Sequence, residues 1–182
     1  NITLTLVGKE IQFPTAKQAK NGWHIIKTLY QPFENENQTP GFLRCPAEIR
    51  SLEKMLALWN KGLAEADCVR NTPEGCRFAA LGLFIRNSIR TTIHIKKWWR
   101  LNMAMQNCTS QEEALQCLDR LEELAREEMA NAEDTIPAVE CDSRLGWEPS
   151  MEYVCDPWHL NWKIRQLGST LREINTFRKM LK

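Results

Sequence analysis

The sequence predicts an all-α fold, an up-and-down bundle of about five helices with a short N-terminal strand. Three observations predict it. Apolar residues recur at alternating spacings of three and four along most of the chain after residue 46, the spacing that lines one face of a helix. Cap-and-proline pairs, Thr72-Pro73 and Asp156-Pro157, open two of these runs. Charge alternates by segment: residues 75–107 hold six Lys or Arg and no acid, 109–142 hold eleven acids and two Arg, and 156–182 hold six bases and two acids. Antiparallel neighbours then meet with opposite charges, which favours their pairing modestly.

The elements follow in order. Ile2–Val7 alternates apolar residues with Thr and predicts a short strand. Ala19, Trp23, Ile26 and Tyr30 share one side of a helix over Ala16–Tyr30, which Gly22 weakens. A long loop, Gln31–Pro46, follows, and the domain organisation expected is an extension over 1–45 packed on a helical bundle over 46–182. Ile49, Leu52, Leu56, Trp59, Leu63 and Ala66 mark a helix opening near Pro46. Residues 73–106 form the most apolar helix, expected at the centre of the bundle. Thr109 with Glu112 predicts a capping box for the next helix, whose stripe is Leu118, Leu121, Ala125, Ala132 and Ile136, and which Pro137 kinks or ends. Leu160, Ile164, Leu167, Leu171, Ile174, Phe177 and Leu181 define the last helix.

Composition excludes several classes. A net charge of +1 argues against a general nucleic-acid binder, and no apolar run approaches a membrane span. Glu122, Glu123, Glu127 and Glu128 read as a solvated face, since a carboxylate metal site needs a Glu-x-x-His element that is absent; no metal and no cofactor are expected. Seven cysteines include no C-x-x-C pair. The odd count leaves a thiol unpaired and points to a reducing compartment, the cytoplasm, although Cys68 and Cys76 flank a turn that allows a disulfide. The chain opens on Asn1, so a piece of a longer protein is expected.

Two features carry candidate chemistry. Arg86, Arg90, His94 and Lys97 share one helix face, read either as a basic groove for an acidic sugar or phosphate or, in preference, as the seam facing the acidic helix. The second is the run VECDSRLGWEPSMEY over Val139–Tyr153. Gly146 permits a turn and Pro149 holds Glu148 extended, so a loop presents Trp147, Glu148, Glu152 and Tyr153 beside Asp142 and Arg144. A packed corner, with Asp142 or Arg144 tying down loop backbone and Trp147 plugging the core, is the reading preferred from the residues alone.

This run, with DPWHLNWKIRQL after it, resembles the C-terminal helical region of a group of predicted bacterial glycoside hydrolases, α-glucuronidase-like and β-hexosaminidase-like. The group's pattern is an acid, DSRLG and an aromatic residue, here Glu140, Asp142–Gly146 and Trp147; where its polar loop has His then Glu, this chain has Glu148 and Ser150. The resemblance implies a non-catalytic domain packed beside a catalytic barrel of the parent chain, with a carbohydrate as ligand. Asp142, Arg144, Trp147, Glu148, Glu152 and Tyr153 are the candidate binding residues, and none is assigned as catalytic. The competing expectation is a helical interaction or dimerisation module forming a homodimer, since seven Trp supply apolar contact area.

Overall fold

The computed structural model describes residues 3–6, 9–12, 40–148 and 153–181. The chain divides into two compact units, Asn1–Glu48 and Ile49–Lys182. In the first, β1 (Thr3–Leu6) pairs antiparallel with β2 (Lys9–Gln12), Leu4 standing opposite Ile11 and Thr5 opposite Glu10. The expected N-terminal strand is thus β1; its partner was not foreseen. The helix expected over Ala16–Tyr30 lies outside the described residues.

Four α-helices are described rather than five: α1 (Pro40–Ala66), α2 (Pro73–Gln106), α3 (Gln111–Cys141) and α4 (Pro157–Met180). Helix α1 starts before the expected position, and Pro46 lies inside it, where it forgoes one backbone hydrogen bond. A 3₁₀ turn, Asp67–Val69, leads to Thr72, whose Oγ1 accepts from Gly75 N at 3.0 Å. Gly75 is obligatory because a Cβ there would fall 1.7 Å from the Val69 carbonyl oxygen. The cap of α3 is displaced by one residue from the expected box. Ser110 Oγ accepts from Glu113 N, and Glu113 Oε2 accepts in return from Thr109 N at 2.9 Å. Pro137 does not end α3, which continues to Cys141; Pro137 lies on the exposed side.

Cross-helix contacts run Cys76 to Cys141, Asn87 to Thr135, Thr91 to Glu128 and Cys108 to Cys117, so α2 and α3 are antiparallel. Helix α3, rather than the more apolar α2, packs along two neighbours, α2 and α4. Phe78 and Leu81 of α2 are instead exposed. The alternation of charge is realised: Arg86 of α2 pairs with Asp134 of α3, and Arg178 of α4 reaches Asp119 and Glu122 of α3 at 2.8 and 2.7 Å. Two apolar clusters hold the helices together. One buries Leu118, Leu121 and Ile174 under Trp98 and Leu101; the other buries Ala132, Val139 and Leu160 beside Phe84 and Ile164. Burying each such Leu contributes about 1.5–3 kcal/mol. Among the described residues no helix is long and apolar enough to cross a membrane.

After α3, a 3₁₀ turn (Ser143–Gly146) leads into β3 (Trp147–Glu148), which pairs antiparallel with β4 (Tyr153–Val154). Cys155 N donates to the Gly146 carbonyl at 2.6 Å. Gly146 serves close approach: a Cβ there would lie 3.1 Å from the Cys155 carbonyl oxygen. The chain here is a short hairpin between α3 and α4.

Candidate functional site

Asp142 follows the last residue of α3 and caps the 3₁₀ turn by accepting from Arg144 N at 3.1 Å. The same carboxylate takes the Arg144 guanidinium as a fork, from Nε at 2.8 Å and from Nη2 at 2.7 Å. These bonds from Arg144 hold the Asp142 carboxyl down to about 2 and raise the Arg144 guanidinium in return. The Arg144 side chain is 77% exposed, so its remaining N–H groups face solvent. Beside this pair runs an open groove of about 420 Å³ lined by Arg77, Phe78, Leu81, Asp142, Arg144 and Leu145. A carboxylate flanked by two guanidiniums, over an exposed Phe ring, offers acceptors and donors around an apolar platform. That combination suits a ligand with one apolar face and a polar rim.

Of the expected site residues, Asp142 and Arg144 are brought together. Trp147 and Glu148 lie next along the chain on β3, exposed, and do not line the groove. Trp147 is 61% exposed, which corrects the alternative that it plugs the core. Glu152 lies outside the described residues, and of Tyr153 only the backbone, in β4, is described. Arg77 and Phe78 were missed; they come from the start of α2, some 65 residues earlier, and no local signal links them to the loop.

The basic stripe of α2 is a seam. Arg86 binds Asp134, Arg90 lies 4.0 Å from it, His94 meets Glu127 at 3.6 Å, and Lys97 meets Glu53 of α1 at 2.9 Å. Every base of the stripe therefore has a carboxylate partner, three of them on the acidic helix as expected. A groove of about 670 Å³ runs along this seam, its charge already neutralised.

Inside the seam lies a buried polar centre. Glu128, taken as part of a solvated face, is buried. Its carboxylate accepts from Thr91 Oγ1 at 2.6 Å and is held by Lys163 Nζ and His94 Nδ1. Burial alone raises the Glu128 carboxyl, but the hydrogen bonds of His94, Lys163 and Thr91 outweigh it, and the net shift is downward. Asn131 Nδ2 donates to the Asn87 carbonyl at 3.0 Å and to Thr91 Oγ1 at 3.1 Å, and Asn87 Nδ2 donates to Thr135 Oγ1 at 2.9 Å. His94 is thus hydrogen-bonded within this centre. A signal for this centre was present: Leu118, Leu121, Ala125, Glu128, Ala132, Thr135 and Val139 keep one helical register, so Glu128 and Thr135 occupy inward positions.

Among the described residues no group of three or more potential ligands is arranged to hold a metal ion. No protein-family model, curated protein or solved structure matches this chain.

Proposed function

We propose that this chain is a non-catalytic helical domain of a carbohydrate-active enzyme, packing beside that enzyme's catalytic barrel and offering the Asp142–Arg144 corner as a sugar-contacting wall. One observation carries the reading: an exposed Trp147 stands three residues from a solvent-facing guanidinium that is locked in orientation by Asp142. An aromatic face stacks on the C–H face of a sugar ring, and an oriented guanidinium donates to hydroxyl or carboxylate oxygens. Phe78 and Arg77 across the groove extend both functions. Neutral monosaccharides and uronic acids, titrated against tryptophan fluorescence and the thermal midpoint, test it. Saturable binding that Trp147→Ala and Arg144→Ala each abolish is expected. Silence from the whole panel overturns the reading.

A second reading, a helical interaction or dimerisation module, is favoured by α4. Trp158, Trp162, Phe177 and Met180 are exposed on this helix, and their spacing places them within an arc of about 100°. A concentration-dependent sedimentation coefficient that Trp162→Ala abolishes distinguishes this reading from the first.

A further inference from the structure

Cys76 is the fourth residue of α2 and Cys141 the last of α3. The antiparallel pairing of these helices brings their thiols together across 65 residues of sequence, with Sγ atoms 3.1 Å apart and both residues exposed. A disulfide needs about 2.05 Å between sulfurs. Closing that gap requires a movement of about 1 Å, within reach of rotation about two side-chain bonds at helix ends. At the other end of the same hairpin, Cys108 and Cys117 place their Sγ atoms 3.9 Å apart. Four of the seven cysteines therefore stand as two close pairs, one at each end of the α2–α3 hairpin, Cys108 lying just after α2. The Cys68–Cys76 pairing that the sequence allows is not the one the fold favours: Cys68 Sγ, in the 3₁₀ turn, donates to the Glu65 carbonyl at the end of α1, 3.2 Å away.

We propose that Cys76 and Cys141 are a disulfide-forming pair that closes the α2–α3 hairpin at the end bearing the Asp142–Arg144 groove. With a small-molecule disulfide as oxidant, the thiolate of one cysteine attacks a sulfur of the oxidant and expels one small thiolate, giving a mixed disulfide. The thiolate of the other cysteine then attacks the protein sulfur and expels the second. The two protein thiols lose two electrons and two protons, and the oxidant becomes two thiols. The odd cysteine count, which pointed to a reducing compartment, does not oppose this, because one bridge uses two of the seven cysteines and an odd count requires only that they do not all pair within the chain. Arg77 and Phe78 directly follow Cys76, and Asp142 directly follows Cys141. The bridge therefore ties together the two walls of the groove. This consequence for ligand binding rests on the sugar-wall reading; the bridge itself does not.

The test is thiol mapping of the chain after equilibration with oxidised and reduced glutathione, followed by alkylation, digestion and mass spectrometry. A peptide pair joined through Cys76 and Cys141, lighter by two hydrogens than the reduced pair, is expected, with Cys68 alkylated. In a Cys108→Ser background, so that the second pair cannot contribute, oxidation raises the thermal midpoint by about 5–15 °C. Adding Cys141→Ser removes that rise, whereas adding Cys68→Ser keeps it. Alkylation of both Cys76 and Cys141, or a peptide joining Cys68 to Cys76, overturns the proposal. A linked Cys76–Cys141 peptide without sugar binding retains the bridge and removes the sugar reading alone.

Discussion

Two stretches of the inward face of α3 solve the same packing problem with opposite chemistry. Toward its start, Leu118 and Leu121 meet Ile174 of α4 in an apolar cluster. Two turns further on, Glu128, Asn131 and Thr135 meet Thr91, Asn87 and Lys163 through directed hydrogen bonds. Apolar contact is non-directional and stabilises many arrangements of similar volume. The Glu128 carboxylate finds its donors only when α2, α3 and α4 stand in one register, because a slipped helix would leave it buried and unpaired; Asn131 Oδ1 is the one polar atom of this centre buried without a hydrogen-bond partner among the described residues. The apolar end supplies stability, and the polar middle selects the arrangement.

The largest effect is expected from the apolar end. Leu118→Ala removes a side chain that is almost wholly buried and should cost about 2–5 kcal/mol, read from the midpoint of urea unfolding. If the cost is below about 1 kcal/mol, the cluster collapses around the gap and the contrast with the polar middle weakens. Glu128→Ala should cost less, about 1–3 kcal/mol, because Lys163 is one-third exposed and regains water when its carboxylate goes. Its distinguishing mark is loss of a unique packed state: amide resonances of α3 near Asn131 should broaden, whereas those in Leu118→Ala should stay sharp.

The smallest effect is one of pH. The Glu128 carboxyl sits below its ordinary value of 4.5 in the folded chain, so it binds fewer protons than in the unfolded chain at intermediate pH. Its contribution is present above 4.5 and is lost as pH falls through the folded value. Unfolding stability should therefore decline more steeply below pH 4.5 in the wild type than in Glu128→Gln. Equal slopes in the two proteins would show that the network does not titrate as a unit with this carboxylate.

Much of the fold was legible because helix signals are local. The caps Thr72 and Asp156 accept from Gly75 N and His159 N where the cap-and-proline pairs placed them, and the stripe of Leu118, Leu121, Ala125 and Ala132 is buried. The seam of Arg86, Arg90 and His94 against α3 was legible too, since blocks of opposite charge announce antiparallel partners. The candidate groove was half legible. Asp142 and Arg144 stand two residues apart and form their fork within one turn, but Arg77 and Phe78 reach it only because α2 and α3 run antiparallel.

By itself the sequence determined the helical class and the core of each described helix from residue 46 on, though not every end or every apolar residue's burial, because hydrogen bonding and amphipathic spacing act over a few residues. The tertiary structure alone decided what stands opposite each face. Glu127 and Glu128 are adjacent and chemically identical, yet about 100° of helix rotation leaves one side chain 55% exposed and the other 9% exposed. Trp147 lies outside while Trp99 lies inside, and Cys76 meets Cys141 rather than Cys68. Spacing along α3 marks Glu128 as inward, but its partners, the exposure of Trp147 and the meeting of Cys76 with Cys141 depend on the rotation and register of one helix against another, which non-local packing sets.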